Sequence, residues 1–547
     1  MIRSPFAKTF VGLISVVAGS LQLRVEPGSA IAGKYDPASP GNVVSREEAR
    51  RVGWPCWSGP YQNFRAIACG HELVDDLHQA KLVWQSEEIT PIAKAFQSQS
   101  HFSGGRHGET QKGLYAGGGA SPVVADGRVF LSYYLPADDT PWVDTPMRRH
   151  KRTALLATDV VLCVDAYTGK TLWKKEFPGG PCYTDMKSAG NSGLSACIYQ
   201  DRVYSFCTGH VLRCLEAKTG QTAWETPLPE YADRVRAYVD AARRGEQFAV
   251  ESAGTGNTIK SIHFGKRSGQ NLVGIGGVIL VEGLLAFDAE TGELLWQKQM
   301  RGYPVRWSTG GREYVLMAGY SPILKGHPVT DSEMACIEPK TGKVLWTEPF
   351  GGAPEDTMLG IEGDFIVGRA AGVRFQDENG RDSRVGLLAM WRLGSDGATL
   401  LWKHEPKTGP KIHPKNQPVL FDGLVFCGVE EPPQEPYPVA CFDASTGKHL
   451  GTISVPSGRR PGNIMRLEDR LMILGDASHV KNTVFWASAN GRDFGVGGDP
   501  WVDPHPPTTP LYATITWPYV DGLLYARGAD GIYCYDLRKK PEPVTSR

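Results

Sequence analysis

One short phrase recurs along the chain, and it constrains the fold more than any other feature of the sequence. Its copies begin at Val161, Leu212, Leu284, Met334 and Val439, and each runs from an apolar stretch through an acidic residue and a Thr-Gly step into a second stretch. Each copy ends in tryptophan, except that the one beginning at Val439 ends in glycine. Repetition on this scale indicates an array of similar supersecondary units, none of which can bury its apolar face alone.

The phrase predicts a β-hairpin. The acidic residue ends the first strand, and its carboxylate accepts hydrogen bonds from the turn amides. The glycine takes the positive φ that other residues resist, and the tryptophan of the returning strand is suited to wedging between neighbouring sheets. The residues of this signature are Asp165, Gly169 and Trp173; Glu216, Gly220 and Trp224; Asp288, Gly292 and Trp296; Glu338, Gly342 and Trp346; Trp402; and Asp443 with Gly447.

Two alternative interpretations of the signature are weaker. The acids, with Asp536 added, could be misread as a metal-binding ring, but because they precede the turn in the same way we interpret them as turn formers. The tryptophans could stack on a ligand, but their fixed place in the repeat favours packing between blades.

A second hairpin is predicted upstream of several copies. Asp-Gly steps stand between apolar runs at Asp126-Gly127, Asp422-Gly423 and Asp521-Gly522, and this dipeptide is a strong hairpin signal. Two hairpins in each repeat give a four-stranded meander, which is a propeller blade. Strands of the tryptophan type near residues 84, 173, 224, 296, 346, 402 and 450, with one poorly matching blade, predict an all-β propeller of eight four-stranded antiparallel blades. Seven blades is the alternative.

The two ends of the chain are expected to meet. The stretch 464–474 opens the poorly matching blade, which a Gly/Pro-rich loop over 490–510 interrupts. Strands over 512–517, Leu523–Arg527 and Ile532–Asp536 then lack a fourth partner. The Trp84-bearing strand Lys81–Gln85 is expected to supply it and so remove the open sheet edges.

The N-terminus is predicted to be a targeting segment. Arg3 and Lys8 flank an apolar stretch over 10–23, and Ala30-Ile31-Ala32 offers a small-residue cleavage site. We therefore expect residues 1–32 to be a signal peptide and the protein to be periplasmic or extracellular, with an uncleaved apolar tail as the alternative. Because the first cysteine is Cys56, we do not expect a lipoprotein.

Two further segments are predicted outside the blades. Residues 33–80 are expected to form an N-terminal extension, in which Ser45 and Glu48 make a capping box for a short helix and 54–60 (WPCWSGP) form an ordered plug or brace. Residues 81–540 are assigned to the propeller. Within it, helical spacing of apolar residues predicts an amphipathic helix at 230–244, in an insertion over about 230–247.

Most of the eleven cysteines are predicted to be core residues. Those at 163, 214, 336, 441 and 534 occupy the repeat position that Ala286 fills in another copy, and Cys427 matches Leu131. A cysteine that alternates with alanine or leucine behaves as a small buried hydrophobe. Cys56 and Cys69 form the one pair that we would test for a disulfide.

The repeat D/E-A-x-T-G-x-x-x-W resembles that of pyrroloquinoline quinone (PQQ) propellers, the quinoprotein alcohol dehydrogenase-like superfamily. The stretch Trp54-Pro55-Cys56-Trp57 with Gly59-Pro60 is similar to the entry segment of secreted bacterial PQQ-like repeat proteins. The resemblance covers about 54–537. It implies the propeller fold but no single function, because the superfamily holds quinone- and calcium-dependent dehydrogenases as well as cofactor-free scaffolds of the outer membrane.

The parts that such a dehydrogenase implies are missing. The sequence has neither a Cys-Cys dipeptide nor a C-x-x-C-H haem motif, and no calcium ligand set matches. His101, Arg106, His107 and Glu109 cluster in a Gly-rich loop and are candidates for a rim, pocket or metal site, although loop histidines at this spacing are more often exposed. Gly276-Gly277 lies among strands, without the helix that a phosphate loop needs.

The sequence therefore favours a non-catalytic exported scaffold, with no cofactor, that binds a protein or envelope ligand through loops on one rim. A divergent oxidoreductase that uses PQQ and calcium is the alternative. The formal net charge of zero argues against nucleic acid as a partner, and no apolar run beyond the N-terminus is long enough to span a bilayer. We expect a monomer.

Overall fold

The recurring phrase folds into the last two strands of a four-stranded antiparallel blade, and eight such blades form a propeller ring. The predicted fold is thereby confirmed, with eight blades and not seven. The computed structural model describes residues 43–87, 120–136, 143–145, 152–185, 195–206, 211–228, 244, 272–281, 285–298, 303–320, 333–350, 353–376, 382–404, 410–412, 417–430, 438–455, 461–478, 481–502, 504–505, 516–528 and 531–540.

The chain passes through helix α1 (Arg46–Val52) and a 3-10 turn (Leu77–Gln79) before strand β1 (Lys81–Gln85). Blade 1 consists of β2 (Val123–Ala125), β3 (Arg128–Pro136), β5 (Arg152–Asp165) and β6 (Thr171–Asp185), with β4 (Val143–Thr145) added on β5. Blade 2 consists of β7 (Cys197–Tyr199), β8 (Arg202–Phe206), β9 (Val211–Glu216) and β10 (Thr222–Pro227). Blade 3 consists of β11 (Leu272–Ile275), β12 (Val278–Val281), β13 (Leu285–Asp288) and β14 (Leu294–Gln297).

Blade 4 consists of β15 (Val305–Thr309), β16 (Arg312–Tyr320), β17 (Glu333–Ile337) and β18 (Val344–Pro349). Blade 5 consists of β19 (Ala353–Glu362), β20 (Phe365–Gln376), β21 (Asp382–Gly394) and β22 (Gly397–Lys403), and β23 (Lys411–Ile412) links it to blade 6. Blade 6 consists of β24 (Val419–Phe421), β25 (Leu424–Glu430), β26 (Val439–Asp443) and β27 (His449–Ile453). Blade 7 consists of β28 (Pro461–Leu467), β29 (Arg470–Ser478), β30 (Lys481–Ser488) and β31 (Trp501–Val502). Blade 8 consists of β32 (Tyr519–Val520), β33 (Leu523–Arg527) and β34 (Ile532–Asp536), together with β1.

The ring closes as predicted, because β1 pairs antiparallel with β34. Two predicted details of the last blades are wrong. The first strand of blade 8 is Tyr519–Val520, and Trp517, at the end of the predicted strand, is buried without being in a strand; residues 512–515 lie outside the described part of the chain. The outer strand of blade 7, Trp501–Val502, lies inside the stretch predicted to be a loop.

The signature turns have the predicted chemistry. In blade 1, Oδ1 of Asp165 accepts hydrogen bonds from the amides of Tyr167 (3.0 Å) and Thr168 (2.8 Å), and Gly169 has a φ of 71°. Acids at the same place in other blades also accept turn amides: Asp288, Glu338 and Asp443. Asp536 likewise accepts the amide of Arg538 (3.0 Å), and the guanidinium of Arg538 binds the same carboxylate at 2.7 and 2.8 Å.

Each signature tryptophan lies against the glycine of the next blade. The indole Nε1 of Trp173 donates to the carbonyl oxygen of Ala217 (3.0 Å), two residues before Thr219 of the next turn. A Cβ added at Gly220 would lie 2.6 Å from the Trp173 ring, so the ring occupies the space that a side chain would need. The same pairing joins Trp84 to Gly169, Trp224 to Gly292, Trp296 to Gly342 and Trp402 to Gly447. The tryptophans are therefore packing residues between blades.

A β-bulge precedes the tryptophan position in seven of the eight outer strands. In β6, for example, Trp173 pairs with Cys163 and Thr171 with Val164, so that Leu172 is skipped. A bulge re-aims the residue that follows it and makes an outer edge a poor template for another strand. The skipped residues are Val83, Leu172, Ala223, Leu295, Leu345, Leu401 and Leu450.

Three seams depart from this rule, and in the one between blades 7 and 8 Trp501 meets Trp517 and Tyr535 rather than a glycine. Blade 5 lacks a Thr-Gly turn, and the buried Nε1 of Trp346 in blade 4 has no hydrogen-bond partner among the described residues. In blade 6 the tryptophan is replaced by Gly451, where an added Cβ would lie 2.2 Å from the Phe494 ring of blade 7. Phe494 therefore supplies the aromatic contact from the opposite side of the seam.

The cysteines of the repeat position are buried free thiols, as predicted: Cys163, Cys214, Cys336, Cys427, Cys441 and Cys534. In β34, Cys534 lies opposite Trp84 of β1, and in blade 1 Cys163 lies opposite Trp173. They fill space beside the indoles. Within the described part of the chain, no helix is both long and apolar enough to cross a membrane.

The substitution Gly342→Ala tests the indole-to-glycine contact. Gly342 has a φ of 68°, and an added Cβ would lie 2.6 Å from Cγ of Trp296. Gly311→Ala is the matched control, because Gly311 has a φ of 72° and nothing within 4 Å of the added atom. We expect about 1–2 kcal/mol of backbone strain in both variants and roughly 1–3 kcal/mol of overpacking in Gly342→Ala alone. Equal losses of stability in urea unfolding would contradict the contact.

Candidate functional site

Residues 43–80 form a segment that we call the N-terminal collar, because it follows the ring around its axis. Its contacts with the blades come in ring order. They are Trp54 with Val124 of blade 1, Pro55 with Ile198 of blade 2, Pro60 with Arg306 of blade 4, Asn63 with Ile361 of blade 5, Gln62 with Gln417 beside blade 6, Phe64 with Arg466 of blade 7, and Val74 with Leu537 after blade 8. The collar therefore makes nearly a full circuit before its chain enters blade 8 as β1.

The collar lies on the face that carries the hairpin turns. In an antiparallel meander, the turn after the first strand and the turn after the third strand lie at the same end of the blade. The collar meets the first of these turns directly: the amide of Asp126 in blade 1 donates to the carbonyl oxygen of Arg50 at 2.9 Å. The connections between second and third strands lie at the opposite end, which we call the open rim.

The start of the collar has the predicted short helix and one half of the predicted capping box, while the Glu48 carboxylate is bound by Arg51. Helix α1 is capped by Ser45, whose side chain accepts from the amide of Glu48 at 3.1 Å. The helix ends at Gly53, where φ is 66° and an added Cβ would lie 2.0 Å from the carbonyl oxygen of Val124. Only glycine fits this close approach of collar to blade, and it lets the chain turn onto the ring.

Aromatic side chains anchor the collar. Trp54, Trp57 and Phe64 are buried in the same hydrophobic cluster as core residues of blades 1, 7 and 8. Trp57 and Phe64 meet edge to face, with centroids 4.9 Å apart. Burying several aromatic groups contributes several kcal/mol, so the collar belongs to the folded core.

A charged cluster fastens the collar where the ring closes. The carboxylate of Asp521, in the turn between β32 and β33, accepts from Nε of Arg46 (2.8 Å) and Nε of Arg50 (2.5 Å). His71 places Nε2 2.7 Å from the same carboxylate. Because all three partners belong to the collar, we call Arg46, Arg50, His71 and Asp521 the collar clasp.

The clasp changes the acidity of its carboxyl. Burial by itself raises the pKa of Asp521, but hydrogen bonds from His71, Arg46 and Arg50 outweigh burial and lower the pKa to about 2. The carboxylate is therefore ionised at any physiological pH. It acts as a fixed anion between cationic groups, not as an acid or base.

A second turn residue binds the collar backbone. Glu468, in the turn between β28 and β29, accepts from the amides of Cys69 (2.9 Å) and Gly70 (3.1 Å). It also accepts from the hydroxyl of Tyr519 at 3.1 Å. This carboxylate therefore joins the collar to both blade 7 and blade 8.

Cys69, His71 and Asp521 have the donor atoms of a metal site, and these atoms all lie within 4.8 Å of one another. The surroundings do not suit a cation, because Arg46 and Arg50 already bind the carboxylate. Burial, followed by the charges of Glu468 and Asp521, raises the pKa of the Cys69 thiol to about 12. Since a thiol must lose its proton to ligate a metal, we interpret this cluster as structural.

Cys56 and Cys69, the pair singled out for a disulfide test, lie in different surroundings, and both are free thiols in the structure. Sγ of Cys56 donates to the carbonyl oxygen of Gly59 at 3.2 Å, whereas Cys69 lies beside the clasp. Their short separation along the chain does not bring them together in space, because the intervening collar passes from blade 2 to blades 7 and 8.

The other predicted site residues fall outside the described part of the chain. These are His101, Arg106, His107 and Glu109, the insertion over 230–247 apart from Arg244, and the signal segment 1–32. Sequence reasoning missed the clasp itself. Its Asp-Gly step marked Asp521 as a turn residue, but nothing local indicated that His71, 450 positions away, would meet it.

One protein family matches most of the chain. Its model, described as outer membrane protein assembly factor BamB, matches residues 73–244, 157–450 and 281–538. The overlap of these matches is expected for a repeat. Among curated proteins, a 1-butanol dehydrogenase (quinone) from Thauera butanivorans is 25% identical over 386 residues, which is 68% of this chain. The chain spans about half (49%) of the length of that relative.

Two solved structures are similar to the chain. BamB from Moraxella catarrhalis is 14% identical, with a TM-score of 0.42 over 75% of this chain and 97% of that one. The quinohemoprotein alcohol dehydrogenase ADHIIG from Pseudomonas putida HK5 is 11% identical, with a TM-score of 0.44 over 93% of this chain and 83% of that one.

The collar clasp predicts a pH-dependent loss of stability. A lowered carboxyl pKa stabilises the fold above the unfolded pKa, and that contribution is lost as the pH falls from about 4 to about 2. We expect Asp521→Asn to cost about 2 kcal/mol at pH 7 and to flatten the dependence below pH 4. The matched control is Asp126→Asn, the equivalent turn residue of blade 1, whose side chain is 67% exposed against 4% for Asp521.

The control is expected to cost a few tenths of a kcal/mol, since exposed ion pairs contribute little. Both positions have positive φ, which asparagine tolerates. Urea unfolding at several pH values measures the difference. Equal effects of the two substitutions at pH 7 would show that the clasp does not fasten the collar.

Proposed function

We propose that this chain, which belongs to the family of outer membrane protein assembly factor BamB, is a non-catalytic exported propeller that binds another protein or an envelope ligand. The proposal rests on one observation: the side chains that could take part in catalysis or metal binding have structural roles instead. In the described residues, the signature acids form turns, the indoles join blades and the repeat cysteines are buried thiols. Among the described residues, one cluster has the donor atoms of a metal site, and two arginines bind its carboxylate.

The open rim is the proposed binding surface. The collar occupies the opposite face and bonds to seven of the eight blades there. The connections at the open rim vary in length, and the insertion over 230–247 follows β10 at that end. Rigid blades that present variable loops suit the binding of a macromolecule. We propose a monomer in the periplasm or outside the cell, without a lipid anchor.

The buried arginines among the described residues argue against PQQ. The quinone is a polycarboxylate and would need cations that are free to bind it. Arg213 binds Asp159 at 3.2 Å, Arg466 binds Asp422 at 2.6 Å and Arg538 is held by a carboxylate two residues away. Arg527 donates to the carbonyl oxygen of Ala120. These buried guanidinium groups already have partners, and we derive no step through the cofactor.

A second candidate function is quinone-dependent oxidation of an alcohol or sugar with PQQ and calcium. It is favoured by the relationship to the 1-butanol dehydrogenase (quinone). The ligands for the cofactor and for calcium would then have to come from residues outside the described ranges, such as His101, His107 and Glu109. This candidate and the scaffold make opposite predictions for one mixture of purified protein, PQQ and Ca²⁺.

We expect no bound quinone and no dye-linked oxidation of alcohols or sugars in that mixture, because the four buried arginines named above already have partners. The measurement is quinone absorbance after gel filtration, followed by a dye-reduction assay. Stoichiometric retention of PQQ with turnover would overturn the proposal in favour of the dehydrogenase.

Photo-crosslinking in an envelope fraction tests the binding half of the same proposal. A crosslinking residue replaces Pro227, exposed at the open-rim end of β10, or Gly311, exposed in a turn on the collar face. We expect a discrete product from position 227 and none from position 311. Products from neither position, or equally from both, would contradict binding at the open rim.

A further inference from the structure

Two cysteines meet where the collar crosses blade 2. Cys56 belongs to the collar and Cys197 begins β7, the first strand of that blade. The amide of Ile198 donates to the carbonyl oxygen of Pro55 at 2.7 Å, so each cysteine is the chain neighbour of one partner in this hydrogen bond. The main chains of the two segments are therefore in direct contact beside these two cysteines.

The two side chains share one environment. Cys56 is 5% exposed and Cys197 is 2% exposed, and both belong to the hydrophobic cluster formed by blades 2 and 3. Burial raises the pKa of the Cys197 thiol well above its usual value, and the nearby Cys56 adds to the shift.

The other described cysteines are not placed for bridging. Those of the repeat position lie in separate blades and face the outer strand of their own blade, as Cys163 faces Trp173 and Cys534 faces Trp84. Cys69 lies at the clasp, beside blades 7 and 8. Cys56 and Cys197 are thus the pair in which a collar thiol and a blade thiol meet.

We propose that Cys56 and Cys197 form a disulfide bond that fastens the collar to blade 2. The bond would fasten the collar covalently at blade 2, as the clasp fastens it by charge at blade 8. Before it forms, the described links of the collar to blade 2 are one backbone hydrogen bond and apolar packing. A crosslink between distant positions also restricts the unfolded chain, which stabilises the fold.

The oxidant is a low-molecular-weight or protein disulfide. One cysteine, as thiolate, attacks a sulfur of the oxidant, forming a mixed disulfide and expelling a thiolate that takes up a proton. The second cysteine thiolate then attacks the cysteine sulfur of the mixed disulfide, which closes the Cys56–Cys197 bond and expels the second thiolate. Two thiols are oxidised, and one disulfide is reduced to two thiols. Because both sulfurs are buried in the finished fold, the exchange takes place before the collar is fully packed.

Peptide mapping tests the bond on the full chain. The protein is refolded in a glutathione buffer of defined potential, alkylated in denaturant, and digested with trypsin without reduction. Cleavage gives peptide 52–65, whose one cysteine is Cys56, and peptide 188–202, whose one cysteine is Cys197. We expect these two peptides to be linked and to separate on reduction.

Single substitutions provide the second measurement. The melting temperature of the wild type is expected to fall on reduction, whereas that of Cys56→Ser and of Cys197→Ser is expected not to change. Cys69→Ser is the matched control and should keep the fall. Linkage of 52–65 to the Cys69 peptide 66–81, or free Cys56 thiol at every oxidising potential, would overturn the proposal. The outcome does not depend on whether the propeller binds a partner or a quinone.

Discussion

The contact of an indole with the glycine of the next blade is the interaction on which the ring depends. It needs one sequence feature from each of two neighbouring blades. The tryptophan of one outer strand requires a neighbour without a Cβ, and the glycine turn requires a ring to cover it. The indole N–H also reaches the carbonyl oxygen of the neighbouring turn. The five seams built in this way therefore have a defined register.

A ring built from such seams must still close, and the collar and β1 together achieve this. Trp84 makes the same contact with Gly169 that the other signature tryptophans make with their neighbours. The seam between blades 8 and 1 is therefore built like the other tryptophan–glycine seams, although blade 8 combines strands from opposite ends of the chain. The clasp lies in blade 8, so the collar stabilises the ring where strands from the two ends of the chain pair. Within the described residues, charge and aromatic area are used mainly for assembly of the fold.

The parts of the fold that could be predicted are those encoded locally. The Thr-Gly turns, the Asp-Gly turns and the role of Lys81–Gln85 all follow from residues within one hairpin. The bulge before each tryptophan was missed because the skipped residue, such as Leu172, has no distinctive chemistry. The strands Trp501–Val502 and Tyr519–Val520 were missed because they are too short to carry an alternating pattern.

Less of the candidate site could be predicted from the sequence, because its residues meet only after the ring has formed. His71 is joined to Asp521, and Cys56 lies beside Cys197, through the path of the collar rather than through any motif. The acids and cysteines of the repeat could be assigned because each recurs in an equivalent position. A residue that occurs once in an irregular segment offers no such comparison.

Hydrogen exchange of β1 tests most directly whether the ring is closed by its two ends. The measurement compares the amides of Lys81–Gln85 with those of Val344–Pro349, the outer strand of blade 4, by mass spectrometry. A closed ring predicts that the amides of β1 directed at β34 exchange as slowly as the paired amides of β18. Exchange of β1 at the rate of an unpaired segment, while β18 stays protected, would contradict closure of the propeller by the N-terminal strand.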